Sequence, residues 1–307
     1  MEKKFNEYYE FISKQLSPDV VQKIFSGFSK KRPTTFRLNL LKGDSDFLIN
    51  ELKKENINYK KSSYIPNSYF SYNLTEQHAL RLDVVKKGYI YLQSFSSMVP
   101  AYLMDPHEDE KILDMTAAPG GKTTLMCSLS KNKAKIYANE LDKIRYQRLL
   151  YNIETSGAKV ECINKRGEIL YKDYEDFFDK VLLDAPCSAE GRFQIKDEHS
   201  ISAWSKKLVE NSQSLQLKLA VSALRTLKKG GTFVYSTCTL NKKENEEIFQ
   251  NLAEYFSIED TDVHPLLNRL PNIQIEKLIL NSRKISIYRL LPSEFFEGFT
   301  LAKVRKL

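Results

Sequence analysis

Two stretches of this sequence end in a cysteine placed where chemistry is usually done. The first is DKVLLDAPCSAEGRF, Asp179 to Phe193, and the second GGTFVYSTCTLNKKENE, Gly230 to Glu246. In each, an apolar run gives way to polar turn residues. Val181-Leu182-Leu183 leads into Asp184-Ala185-Pro186-Cys187, and Thr232-Phe233-Val234-Tyr235 into Ser236-Thr237-Cys238. Such runs suit parallel strands buried on both faces, and ligands sit beyond the carboxyl ends of such strands. A cysteine can also serve as a small core hydrophobe. Here each thiol lies past its apolar run, among Ser, Thr, Pro and Gly, where core filling would be wasted. A thiolate is a strong nucleophile, so the pair offers covalent catalysis. An ordinary thiol, with a pKa near about 8.5, is mostly protonated at neutral pH, so local positive potential must help.

A third stretch supplies the setting for a cofactor. The strand Ile112-Leu113-Asp114-Met115 runs into Thr116-Ala117-Ala118-Pro119-Gly120-Gly121-Lys122-Thr123 and a helix to Leu129. Small residues let the backbone pass close to a ligand, and the helix start offers unpaired amides. Asp114 suits a positively charged cofactor group. The next strand ends in Asn139-Glu140, and an acid about 20 residues on is placed to bind ribose hydroxyls. A P-loop NTPase is the rival, because Gly121-Lys122-Thr123 matches the end of GxxxxGK[ST] and Val181 to Asp184 could be its metal-binding strand. The pattern's first glycine falls on Thr116, however, and Pro119 removes an amide from the phosphate cradle.

Two thiols and a carboxylate beside a methyl donor suit methylation at C5 of cytosine. C5 is a poor nucleophile, and a thiolate adding at C6 makes it an enamine carbon able to attack the methyl of S-adenosylmethionine. Loss of the C5 proton and of the thiol restores the ring. One cysteine can add while the other assists release, and an acid at N3 stabilises the adduct. Asp184, three residues before Cys187, is placed for N3.

With these motifs the chain resembles the NOL1/NOP2/Sun (RsmB/NOP) RNA cytosine-5 methyltransferases. LDMTAAPGGKTT is similar to that family's cofactor loop, VLLDAPCSAEG to its first cysteine motif and VYSTCTLNKKENE to its second. RPTTFRLNLLK, GYIYLQSFSSMVPAYL and EGFTLAKVRK add weaker matches. The resemblance implies an α/β fold, a Rossmann-like class I methyltransferase sheet of seven strands with a small N-terminal α+β RNA-binding domain. It implies Cys238 as nucleophile, Cys187 as the releasing cysteine and Asp184 as the N3 partner. S-adenosyl-L-methionine would lie along Thr116, Ala117, Ala118, Pro119, Gly120, Gly121 and Lys122, with Glu140 on the ribose and Asp184 near the reacting end. DNA cytosine-5 methyltransferases use the Pro-Cys cysteine instead, so the arrangement points to RNA, with rRNA favoured over tRNA. An RNA-binding or assembly factor of the same fold, weak in catalysis, is the alternative; intact Cys187, Cys238 and Asp184 argue against it. Three departures stand out: Thr116 where many members have Cys, Lys165-Arg166-Gly167 where an Asp usually ends the third strand, with Glu168 displaced nearby, and Gly298-Phe299-Thr300 for Gly-Phe-Phe.

The elements that must position these residues follow two textures. Residues 1–83 read as an N-terminal RNA-binding α+β domain, and 84–307 as the catalytic domain. In the first, helices are expected at Glu7 to Ser17, from Ser17-Pro18-Asp19 and at Asp44 to Glu55, with strands at Thr34 to Leu40 and Ile57 to Ile65. Its Lys and Tyr content, with Lys30, Lys31 and Arg32, suits a grip on phosphates and unpaired bases. A helix over Ser96 to Met104 follows, then strand–turn–helix units from Lys111. The strands are expected at Lys135 to Asn139 and Lys159 to Ile163. Helices are expected at Asp142 to Ser156, at Lys206 to Lys228 with Leu208, Leu215, Leu219, Ala223 and Leu227 on one face and a stop at Gly230-Gly231, and at Lys242 to Tyr255. Lys284 to Leu290 and Gly298 to Val304 would close the sheet as an antiparallel pair.

The 307 residues carry a formal net charge of +8 and a pI near 9.0, which favours an anionic partner such as RNA. Of the four cysteines, Cys127, Cys162, Cys187 and Cys238, none forms a CxxC pair, and no Cys/His cluster has zinc spacing, so no metal is expected. The start, MEKKFNEYYEF, lacks a signal-peptide stretch and no run is long enough to span a membrane. A cytoplasmic monomer without membrane attachment is expected.

Overall fold

The computed structural model describes residues 2–261 and 264–307. Its first sheet has four strands, β1 (Thr34–Leu38), β2 (Lys60–Lys61), β3 (Ser68–Ser71) and β4 (Ile90–Leu92), in the order β2-β3-β1-β4. The expected strand Ile57 to Ile65 shrinks to β2, because Ser62 Oγ turns the chain by accepting from the amides of Tyr64 (3.1 Å) and Ile65 (3.3 Å). β4 lies beyond residue 83 yet pairs antiparallel with β1, so this sheet runs past the division read from the sequence.

Among the described residues the second sheet has nine strands rather than seven. β5 (Lys111–Asp114), β6 (Lys135–Asn139), β7 (Val160–Ile163), β8 (Phe178–Asp184) and β9 (Leu227–Thr237) are mutually parallel in the order β7-β6-β5-β8-β9. β11 (Ile273–Leu280), β12 (Arg283–Leu290) and β13 (Phe299–Lys306) extend it antiparallel beyond β9, and β10 (Ile258–Asp260) pairs with β13. The two strands beyond the expected set are β10 and β11. Chain order reverses on either side of β5, so the crevice above the carboxyl ends of β5 and β8 is a switch point of the kind that takes ligands.

Alternation along the strands buries both faces. Ile112, Leu182 and Val234 pack towards the helices Phe95–Met104 and Gly121–Leu129. Leu113, Val181, Leu183, Phe233 and Tyr235 pack towards Lys206–Thr226 and Glu246–Leu252. The long helix turns its face slightly from expectation: Leu219, Ala223 and Leu227 are buried, but Leu208 and Leu215 are only half-buried beside Val209 and Gln216. It ends at Leu227, already extended, and passes straight into β9. The expected helix Lys242 to Tyr255 starts only at Glu246. Asn245 is non-helical (φ −130°, ψ −83°), and the residues before it are held in a turn by Asn241 Oδ1, which accepts from the Glu244 amide at 2.9 Å.

The first helices, Glu2–Ser13 and Pro18–Phe28, are not part of the four-stranded sheet's core. Tyr8, Ile12, Ile24 and Phe28 bury against Phe193, Trp204, Leu240 and Leu291 of the catalytic region. Among the described residues no helix is long and apolar enough to cross a membrane, and no group of His, Cys, Asp and Glu could hold a metal ion.

Candidate active site

Pairing of β8 with β9 places Asp184 opposite Ser236, so both exits open at one level of the sheet. The two thiols thereby meet, with Cys187 Sγ 3.2 Å from Cys238 Sγ. The loop after Cys187 is clamped where it passes the loop after Cys238: the Gly191 amide donates to Cys238 O at 2.9 Å, and the Gly298 amide to Gly191 O at 2.8 Å. A Cβ on Gly191 would lie 1.9 Å from Gly298 O, so only glycine permits this approach. Thr300, the departure from Gly-Phe-Phe, joins this clamp: its hydroxyl donates to Thr239 O at 2.7 Å, one residue past Cys238.

The thiols are not equivalent. The hydrogen bond from Cys187 holds the Cys238 thiol below its ordinary range against the opposing effect of burial, and the Arg192 guanidinium adds to this. Cys187 is pushed up, first by that same hydrogen bond and then by burial and the Cys238 and Glu244 charges. The thiolate is therefore favoured on Cys238 rather than on Cys187. Cys127 is elsewhere, buried under the sheet, and burial pushes it up to about 12.

Asp184 sits beside the thiols with both oxygens engaged. Ser236 Oγ donates to Oδ1 at 2.7 Å and Lys122 Nζ to Oδ2 at 2.5 Å, while Lys122 also reaches Ser97 Oγ at 2.8 Å. Lys122, expected on the cofactor, thus bridges the cofactor loop and the carboxylate. Thr116 contributes a hydroxyl to Asp184 O at 2.8 Å, which ties the loop to β8.

A cavity of about 1040 Å³ runs from the thiols along the loop. Thr116, Ala117, Ala118, Pro119, Gly121, Lys122, Glu140, Asp184, Cys187 and Cys238 all line it. Gly120 does not. Its contribution is backbone: at φ 105° it turns the loop into the helix, its missing Cβ pointing towards Leu149 Cδ1. Two buried carboxylate oxygens along the cavity lack a hydrogen-bond partner among the described residues, Asp114 Oδ1 and Glu140 Oε2, although the latter has the Arg145 guanidinium 3.4 Å away as an ion pair. Burial pushes Asp114 up to about 6, against Thr123 and Lys122. Such acceptors fit a ligand with a cationic group and hydroxyls. Gly167 and Glu168, from the departed third motif, line the same cavity, so Glu168 reaches this site although displaced in sequence.

Several contributors went unread in the sequence, and Arg32 was read there only as part of an RNA grip. Arg37 of β1 is buried at 2% exposure and donates to Gln93 Oε1 (2.9 Å), Gly121 O (3.1 Å) and Thr124 Oγ1 (2.9 Å), which docks the first sheet on the helix after the cofactor loop. Arg32 lines the cavity and donates to the carbonyls of Arg192 (3.1 Å) and Phe193 (3.2 Å). It is therefore committed to the active-site loop, whereas Lys30 and Lys31 are exposed. Arg192 and Glu297 also line the cavity, 3.7 Å apart.

Residues 101–305 match the family described as 16S rRNA methyltransferase RsmB/F. The chain belongs to this family. A tRNA (cytosine(49)-C(5))-methyltransferase of Pyrococcus abyssi is 31% identical to it over 315 residues, 98% of this chain and 99% of the relative. A ribosomal RNA small subunit methyltransferase F of Aliivibrio fischeri is 39% identical over 223 residues, 71% of this chain but 46% of the relative. The chain thus spans about half the length of that rRNA relative. A methyltransferase homologue from Pyrococcus horikoshii, solved as a crystal structure, superposes with a TM-score of 0.77 at 30% identity, over 95% of this chain and 92% of that one. As a member of the RsmB/F family the chain is a methyltransferase, and its central sheet is the Rossmann-like sheet of the class I enzymes.

Proposed function

We propose that this chain, an RNA cytosine-5 methyltransferase by family, works through a covalent bond between Cys238 Sγ and C6 of the target cytosine. The observation that carries this reading is the contact of two unlike thiols, 3.2 Å apart, beside Asp184. S-adenosylmethionine, when bound, supplies the electrophilic methyl group that C5 takes. Asp114, Glu140 and the loop 116–122 would hold it: the unpartnered Asp114 Oδ1 suits its cationic end and Glu140 Oε2 its ribose hydroxyls.

Cys238 attacks as the thiolate, and the C5–C6 π electrons move towards N3. The proton taken up at N3 comes from Lys122 through Asp184, whose oxygen it touches. Lys122 and Asp184 recover that proton once C5 is methylated. For release, Cys187 hands its hydrogen to the departing Cys238 sulfur, and the Cys187 thiolate so formed takes the C5 proton. Arg192 favours the charged form of Cys238 at the outset.

The substrate is a structured RNA, and relatives named for both tRNA and rRNA match the chain. The sequence motifs lean towards rRNA, while the relative matched end to end is named for tRNA. The two are separated by bisulfite sequencing of total RNA from cells with and without the gene. A cytosine whose protection from deamination vanishes with the gene supports the reading and names the target; an unchanged methylation map in both RNA classes defeats it.

A further inference from the structure

Directly behind the thiols lies a carboxylate that this reaction does not use. Glu244 is fully buried. Its Oε1 accepts from the Ser188 amide at 3.0 Å and from Gln216 Nε2 at 2.9 Å; its Oε2 accepts from Asn241 Nδ2 at 2.7 Å and, in a short hydrogen bond, from Ser188 Oγ. Thr239 Oγ1 lies 3.5 Å from Oε2 and 3.0 Å from Ser188 Oγ. Ser188 follows Cys187, and Thr239 follows Cys238. One carboxylate therefore spans the two loops that carry the thiols.

The geometry demands an acceptor with charge. Ser188, Gln216 and Asn241 all aim N–H or O–H hydrogens at Glu244, and a carboxamide would turn its own NH2 against one of them. Electrostatics adds a direction. The Glu244 charge is among the influences that push Cys187 up, while Arg192 acts on Cys238 from the cavity side. Asp184 and Glu297, which line the cavity as well, oppose Arg192 at Cys238, while the Glu244 charge bears on Cys187.

We propose that Glu244 is a positioning residue: it holds the two cysteine loops in thiol contact and keeps Cys187 protonated, leaving Cys238 free to attack. This rests on the assignment of the thiols given above. Burial, and then the charge of neighbouring Glu190, push Glu244 up to about 7, against the hydrogen bonds from Ser188 and Asn241. The test is therefore run near pH 8, roughly a unit above that value, where the carboxylate is ionised.

The experiment is competitive alkylation of the full chain by iodoacetamide, with Cys238 and Cys187 modification quantified by peptide mass spectrometry. Wild type should label Cys238 in preference. Glu244→Gln should lower the Cys238-to-Cys187 ratio by about tenfold, the consequence of roughly one pKa unit of lost bias. Glu244→Asp, which keeps the charge, should restore most of the preference. A folded Glu244→Gln variant with the wild-type ratio overturns the proposal. If that variant does not fold, Ser188→Ala replaces it: losing one donor to Glu244 must shift the ratio the same way, and an unchanged ratio again overturns the proposal. Preferential labelling of Cys187 in the wild type would instead break the underlying thiol assignment, a distinct failure.

Discussion

Asp114 should cost the ligand-free protein stability in a pH-dependent way, and Asp114→Asn should remove that cost. The carboxyl is 1% exposed, and burial raises it from an ordinary 3.8 to about 6. A group raised in the folded state contributes its stability at low pH and loses it as pH climbs through the folded value. Fully developed, the shift amounts to about 3 kcal/mol at ~1.4 kcal/mol per unit. Roughly 1 kcal/mol is already lost near pH 4.5, where the unfolded chain has begun to ionise, so about 2 kcal/mol more is lost by about pH 7.5. Asparagine keeps an acceptor for Thr123 Oγ1, which now donates to Asp114 Oδ2 at 2.7 Å. Any constant cost of its amide cancels when the two pH values are compared. Thermal melts of variant and wild type at both pH values should show the difference in Tm moving in the variant's favour by roughly 3 °C as pH rises, the shift about 2 kcal/mol makes in a chain of this length. Calorimetry at the higher pH should meanwhile show S-adenosylmethionine binding weakened by about tenfold or more, from loss of the charge facing its cationic end. A difference in Tm that is the same at both pH values would refute the buried-charge argument. Undiminished cofactor binding would refute the cation site.

Other residues carry narrower predictions. Glu140→Ala should weaken S-adenosylmethionine binding by about 1.5–3 kcal/mol, the value of hydrogen bonds to a charged acceptor, and an unchanged calorimetric Kd would remove Glu140 from the ribose. Replacing Lys30 and Lys31 with alanine should reduce the salt slope of RNA binding by nearly one for each phosphate no longer neutralised. Arg32→Ala, whose guanidinium is committed to the Arg192 and Phe193 carbonyls, should lower kcat more than it changes that slope. Glu246→Ala strands Arg289, buried at 2% and otherwise held by Leu240 O and by Glu276 at 3.7 Å, and should cost about 3–5 kcal/mol in urea unfolding. The double variant Glu246→Leu, Arg289→Met should recover at least about 2 kcal/mol of that; no recovery would show that the loss is not a stranded charge.

What the sequence revealed was what local pattern encodes. β5, β8 and the second half of β9 carry apolar runs that end in turn residues, and both thiols and Asp184 follow from strand ends that the parallel sheet places side by side. The helices Phe95–Met104 and Lys143–Ser156 fall within a residue of those expected at Ser96 to Met104 and Asp142 to Ser156, with Ser94 and Asp142 as their caps. β11 escaped because its alternation, IQIEKLIL, is broken by charges and its outward face leaves Ile275 and Ile279 exposed. The shortened helix at Glu246 escaped because Asn241 and Glu244 side chains outcompete the helical path, and propensity does not register such bonds. Contacts between distant segments were the least visible. Tyr8 reaches Glu190 across 182 residues, and Arg37 reaches Thr124 across 87, with no local signature for either. Arg32 looked like an RNA contact because an Arg after two lysines reads as surface charge; only the packing of the loop after Cys187 draws it inward.

The central claim is the division of labour between the thiols, and covalent trapping tests it most directly. Wild type, Cys187→Ala, Cys238→Ala and the double variant are incubated with substrate RNA and S-adenosylmethionine, then run on denaturing gels. Cys187→Ala should accumulate a protein–RNA adduct, because addition and methyl transfer proceed while release stalls. Cys238→Ala and the double variant should show neither adduct nor product. An adduct formed by Cys238→Ala and absent from Cys187→Ala would contradict the account and make Cys187 the nucleophile.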